Sequence, residues 1–151
     1  MHALDRVKAY ACVGDHEKFP WKPMPWPGIS NKVLFCDPVL GTTIELAKIE
    51  KGAVFPVHYH PTVQTLFLIK GRIRTEGRII TVGTFDVIPA GERHGGYVAE
   101  EESIQYKLFS AMPVYFMENG DVYHYKYDGT VIRLESGPQT KALTSQNIMA
   151  I

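Results

Sequence analysis

The sequence predicts an all-β protein, a small single-domain barrel that holds a metal ion inside it. Three observations point there. Between residues 32 and 134, short runs rich in Val, Ile, Phe, Tyr and Thr are separated by glycine-centred turns, the signature of a sandwich or barrel. Two histidines, His58 and His60, stand two apart in one such run, so both project from the same face of a strand. A third, His94, follows Pro89-Ala-Gly91, which reads as a tight turn. Three imidazoles with a coordination position left open make a catalytic rather than a structural metal site.

A chain of 151 residues suits one domain with a core that needs no staples, and 45% apolar residues is ordinary for a globular protein. Sixteen basic and sixteen acidic side chains cancel. No large field is therefore expected to draw in nucleic acid or an anionic membrane. No apolar run approaches the roughly 20 residues of a membrane span. The opening Met-His-Ala-Leu-Asp-Arg-Val-Lys lacks the basic patch and apolar stretch of a signal peptide. Cys12 and Cys36 have no metal-binding spacing and read as free thiols in a reducing cytoplasm.

In chain order, residues 1–31 read as an N-terminal arm. It ends in the leader Trp21-Lys-Pro-Met-Pro-Trp26-Pro-Gly28, whose prolines favour an extended segment over a helix or central strand. Its tryptophans are expected on the outer face of the barrel or at a subunit interface, with a substrate-pocket wall as the alternative. The aromatic, proline-rich leader makes a homodimer the expected assembly. The barrel is expected over 32–136, with strands at 32–36, 42–49, 53–60, 64–70, 73–75, 78–82, 84–88, 97–98, 103–111, 114–117, 121–127 and 130–134. Its turns fall at Asp37-Pro38 with Gly41, Glu50-Lys51-Gly52, Lys70-Gly71, Glu76-Gly77, Asn119-Gly120 and Asp128-Gly129. Residues 137–151 form a tail in which one short helix over 139–151 fits.

Within the barrel, Gln64 shares a face with Leu66 and Leu68, toward the lumen. A buried amide there needs a partner, which the metal, a metal-bound water or His60 would supply. For residues 103–111, parity alone favours Ile104, Tyr106 and Leu108 as the inward set over Ser103, Gln105, Lys107 and Phe109. Arg72, Arg74, Arg78 and Arg93 are available to meet an anion, and Arg93 adjoins His94. His2, His16 and His124 have no partners at ligand spacing; His124 lies in Tyr123-His-Tyr-Lys-Tyr127, an aromatic ladder on a sheet. Imidazole ligation suits iron, zinc, nickel or copper.

Two stretches resemble the paired motifs of the cupins. The first is Gly52-Ala-Val-Phe-Pro-Val-His58-Tyr-His60 with Gly71; the second is Gly83-Thr-Phe-Asp-Val-Ile-Pro89-Ala-Gly91-Glu-Arg-His94. The resemblance implies a jelly-roll barrel with one divalent metal on His58, His60 and His94. Many cupins add a glutamate ligand four or five residues after the second histidine, where this chain has Gln64 and Thr65. Gln64 is therefore the expected neutral fourth donor or a partner of the ligands. Without a carboxylate the metal keeps its double charge, which favours an anionic, chelating substrate. The leader, and the later Val114-Tyr-Phe-Met-Glu-Asn-Gly120-Asp, resemble one cupin branch. It contains the acetylacetone-cleaving and dihydroxyacetophenone dioxygenases and the zinc-binding cupin domain of an anti-sigma factor.

That branch implies an Fe(II) dioxygenase that uses O₂ to cleave a carbon–carbon bond in a small β-diketone or hydroxyketone through a chelated enolate. Zn(II), Ni(II) and Mn(II) are the alternative metals. Gln64 and Arg93 are the expected catalytic side chains, with a pocket of Phe55, Leu66, Leu68, Gln105 and Phe109. Phe55 and Phe109 match pocket aromatics of the diketone-cleaving enzymes, although simple alternation would turn Phe55 outward; a bulge beside Pro56 reconciles the two. The competing readings are a zinc-holding sensor or interaction domain, and a hydrolase or isomerase that uses zinc or nickel as a Lewis acid.

Overall fold

The β-branched and aromatic runs, cut by glycine turns, form fourteen strands in a computed structural model that describes residues 14–126 and 128–134. They are β1 (Lys22–Pro23), β2 (Ile29–Cys36), β3 (Thr43–Ile49), β4 (Val54–Phe55), β5 (His58–Tyr59), β6 (Gln64–Lys70) and β7 (Arg72–Thr75). There follow β8 (Arg78–Thr81), β9 (Phe85–Ile88), β10 (Tyr97–Ala99), β11 (Ser103–Phe109), β12 (Val114–Met117), β13 (Val122–Tyr125) and β14 (Val131–Arg133). One single-turn helix, His16–Lys18, precedes them, with the Asp15 side chain capping it through the Glu17 amide. Among the described residues no helix is long and apolar enough to cross a membrane.

All pairings are antiparallel. A six-stranded sheet runs in the order β1-β2-β3-β11-β6-β9. Two four-stranded sheets, β4-β10-β7-β8 and β14-β13-β12-β5, complete the walls. The inner faces carry a core of Ile49, Phe55, Leu68, Ile73, Tyr97 and Tyr115, each almost wholly buried. Cys36 is a buried free thiol. The possible helix at 139–151, the first thirteen residues and Cys12 lie outside the described residues.

The leader is part of the sheet as well as an arm. Lys22 and Pro23 pair with Asn31 and Ser30, and β2 begins at Ile29, not residue 32. Trp26 packs inward, its ring 5.1 Å from Phe55 and 5.4 Å from Tyr115, so it is engaged within the subunit rather than across an outer face. The reason is the turn at 26–29, where Ile29 N–H donates to Trp26 O and Met24 N–H to Ile29 O, folding the segment back over the barrel's end. Trp21 sits instead beneath the ammonium groups of Lys32 and Lys48.

On β11 the two sequence readings diverge. Parity favours Ile104, Tyr106 and Leu108 as inward, and the resemblance to the diketone-cleaving cupins favours the opposite face. The structure has the second. Ser103, Gln105, Lys107 and Phe109 are buried, whereas Tyr106 is exposed and Ile104 and Leu108 are half-buried. Register decides this. Gln105 pairs with Leu68, Lys107 with Leu66 and Phe109 with Gln64, and opposite residues share a face. On the other side Lys107 stands across from Glu45, which gives the inward lysine a counter-charge.

Because Leu68 is fully buried on this inner face, Leu68→Ala is expected to cost about 2–5 kcal/mol in denaturant unfolding. Val82→Ala, at a side chain 60% exposed, is expected to stay within about 0.5 kcal/mol.

Candidate metal centre

Proline interrupts the strand that carries the first two histidines. β4 ends at Phe55; Pro56 and Val57 lie outside the ladders, and the chain resumes as β5 in a different sheet. The interruption takes up two residues, so Phe55 and His58, three apart, both point inward and their rings lie 5.1 Å apart. His60 follows on the same face as His58, while Tyr59 turns away and stacks on Phe116 at 5.0 Å.

A turn delivers the third histidine. Glu92 N–H donates to Pro89 O at 3.2 Å, and Gly91 takes a φ of 79°, the positive value a type II turn requires. Gly91 N–H also donates to His60 O at 2.7 Å, which ties this turn to the first motif. His94 then exchanges two backbone hydrogen bonds with His58, at 2.8 and 2.9 Å, as an isolated antiparallel bridge. Gly95 makes that approach sterically allowed. Its φ is 104°, and a β-carbon there would lie 2.4 Å from Pro56 O.

The three rings are oriented by backbone carbonyls. His58 Nδ1 lies 2.7 Å from Pro56 O, His60 Nδ1 2.8 Å from Val114 O, and His94 Nδ1 2.9 Å from Glu92 O. A carbonyl can only accept, so each Nδ1 carries the proton and each Nε2 presents a lone pair. The ligand atoms of these histidines all lie within 4.8 Å of one another, and His58 Nε2 is 3.1 Å from His60 Nε2. Two bare lone pairs at that distance repel. They fit a shared cation, because nitrogens bound at 2.0–2.1 Å and roughly at right angles are about 3 Å apart. Gln64 Oε1 lies 3.2 Å from His94 Nε2 and, with that oxygen turned in, offers a fourth donor at the same spacing.

Burial keeps the imidazoles neutral. It pushes His58 and His60 well below the ordinary histidine range, helped by repulsion from neighbouring histidines, and pushes His94 down to about 4. Aromatic rings enclose the cluster: Phe109 lies 5.1 Å and Tyr115 4.5 Å from His60. Leu66, Leu68 and Gln105 sit deeper, and both polar atoms of the fully buried Gln105 amide lack a hydrogen bond. Nearby, Lys107 Nζ lies 4.0 Å from Glu45 Oε1 and 4.4 Å over the Phe55 ring. Burial pushes the Glu45 carboxyl up and the Lys107 ammonium down, and each opposes the other's shift.

A cleft of about 360 Å³ opens on His94, between the edge strands β8 and β9. Its walls include Thr75, Arg78, Asp86, Arg93 and Tyr97, and none of the five residues expected to line a pocket. Those five are inside the barrel, each at 0% exposure. Arg93 reaches the cleft, with its guanidinium paired to Glu118. Arg72 and Arg74 pair with Glu100, and Arg78 with Asp86. His124 stays apart, its Nδ1 on Tyr125 O. Glu45, Gly95, Tyr97, Lys107 and Tyr115 were not singled out by sequence; Lys107 was within reach as the residue two before Phe109 on one face.

A small antiparallel barrel that gathers three histidines from two glycine-bearing motifs is a cupin. A family model, the ChrR cupin-like domain, matches residues 10–112, and the chain belongs to that family. No curated protein matches it in sequence. Among solved structures, it resembles an acetylacetone dioxygenase from Acinetobacter johnsonii, at 19% identity over 87% of this chain and 89% of that one, with a TM-score of 0.60. It also resembles an RmlC-like cupin from Ralstonia eutropha JMP134, at 19% identity over 95% and 86% of the two chains, with a TM-score of 0.64. The Rhodobacter sphaeroides SigE complex with the anti-sigma ChrR matches at 20% identity over 63% and 50%, with a TM-score of 0.53. These likenesses establish the fold.

Two outcomes are expected from this geometry. Gly95→Ala should lower both thermal stability and metal uptake, whereas Gly120→Ala, where an added β-carbon meets nothing within 4 Å, should leave metal uptake intact. Acid should destabilise the metal-free protein through His94. Its folded pKa lies below the unfolded value of 6.5, so the unfolded state binds more protons between those values. The contribution is complete above about pH 6.5 and is lost as pH falls toward 4. Urea unfolding should therefore show wild type losing about 2 kcal/mol more than His94→Gln between pH 7 and pH 5.

Proposed function

We propose that this chain is a metal-dependent dioxygenase acting on a small β-dicarbonyl or hydroxyketone, with His58, His60 and His94 as the metal ligands. The observation that carries the reading is the set of three Nε2 lone pairs, fixed from behind by backbone carbonyls and facing one another. A divalent metal there, Fe(II) in this reading, supplies Lewis acidity that favours the enolate of a 1,3-dicarbonyl and supplies electrons for O₂. Among the described residues no carboxylate belongs to the histidine cluster, so an anionic chelating substrate would offset the metal's charge.

The chain's own residues have separable parts in this scheme. His58, His60 and His94 would hold the metal through Nε2. Gln64 serves as a neutral fourth donor or as an acceptor for a metal-bound water. Phe55 and Phe109 keep bulk water from the buried imidazoles, with Leu66, Leu68 and Gln105 forming the lumen wall behind them. Arg93, which lines the cleft, would meet an anionic substrate only by exchanging its Glu118 partner for it. Membership of the ChrR cupin-like family supports a second reading, a zinc-holding cupin that serves as a sensor or interaction domain.

Metal analysis of protein purified without added metal, followed by oxygen uptake with a panel of 1,3-diketones, separates the two. Iron, or activity restored by Fe(II), supports the dioxygenase. Full zinc occupancy with no uptake after iron reconstitution supports the sensor. In either case His94→Ala should lose the metal and His124→Ala should retain it.

A further inference from the structure

One polar group at the cleft is built for a partner that the protein does not provide. Tyr97 is 3% exposed and pairs across strands with Phe55, whose ring contacts His58. Its hydroxyl is buried without a hydrogen-bond partner, yet the residue lines the cleft that His94 also lines. The Gly95 amide lies near enough to favour the phenolate, but its geometry falls short of a hydrogen bond. Burial pushes the phenol up to about 12, so the O–H proton stays in place and the group is a donor at neutral pH.

A buried hydroxyl with nothing to bond to costs stability, and phenylalanine in its place would avoid that cost. Such a group is explained when a ligand completes it. In the cleft wall Asp86 is paired with Arg78 and the Thr75 hydroxyl donates to Gly95 O, and neither of them bonds the Tyr97 hydroxyl.

We propose that Tyr97 is a specificity-determining residue, donating its hydroxyl proton in a hydrogen bond to a carbonyl or enolate oxygen of the ligand held at the three-histidine centre. The assignment rests on the dicarbonyl reading above and adds a named donor to it. His94 and Tyr97 line the same opening.

The test uses the full chain loaded with Co(II), whose visible absorption reports ligands entering the metal's coordination sphere. Acetylacetone is one probe, because it offers acceptor oxygens. Imidazole is the other, because it has no acceptor left once its bare nitrogen is on the metal. Tyr97→Phe should weaken acetylacetone binding at least fivefold, leave imidazole affinity within twofold, and keep the melting temperature at or above that of wild type. Acetylacetone affinity within twofold of wild type would overturn the proposal, as would a fall in melting temperature with both probes weakened alike. Failure of the dicarbonyl reading looks different: wild type would take up Co(II) and bind imidazole but not acetylacetone, which removes the proposal's basis as well.

Discussion

The whole site depends on three hydrogen bonds that never touch a ligand. Pro56, Val114 and Glu92 each offer a backbone carbonyl to a histidine Nδ1, so all three imidazoles are locked into one tautomer with Nε2 turned inward. Carbonyls cannot rotate away as side chains can, and each belongs to a different part of the chain. The break at Pro56, the strand β12 and the turn at Pro89 must all be in place before the lone pairs converge. Metal affinity and correct folding are coupled for this reason.

Convergence also makes the empty-handed cluster unfavourable. Neutral imidazoles facing one another in an apolar enclosure repel through their lone pairs, and protonation is opposed by burial and by the nearby Lys107. A divalent cation relieves both problems at once. Around it the buried polar groups carry little net charge. The Glu45–Lys107 pair is close to neutral as a unit, Gln64 is neutral, and the charged arginines are held at the surface by carboxylates. The charge that a bound metal brings therefore meets no protein carboxylate in contact with it, which is the physical case for an anionic ligand.

Much of this was legible in the residues. The spacing of His58 and His60, and the Pro-Ala-Gly turn before His94, carried the three-histidine cluster and, with the glycine-cut strand runs, the barrel. The face of Gln64, Leu66 and Leu68 followed from alternation and is the one observed. Other features needed coordinates. Alternation misjudged β11 because it scores Lys107 and Gln105 as solvent-facing. The family resemblance pointed to the face observed, and register shows why, with Lys107 against Glu45 and Gln105 against Leu68. Trp26 was expected outside because its segment is proline-rich; the turn that folds it over Phe55 involves main-chain bonds that composition does not reveal. Arg93 is adjacent to His94 in sequence and yet pairs with Glu118, which spacing along the chain does not reveal.

The central claim concerns which nitrogen of each histidine faces the metal, and nuclear magnetic resonance reads that directly. Long-range proton–nitrogen spectra of the ¹⁵N-histidine-labelled protein, recorded before and after zinc, should show His58, His60 and His94 with protonated Nδ1 in both states. Only their Nε2 resonances should shift to metal-bound values, and His16 and His124 should be unmoved. Ligation through Nδ1 at any of the three, or zinc that leaves one of the three Nε2 resonances where it was, would contradict the account.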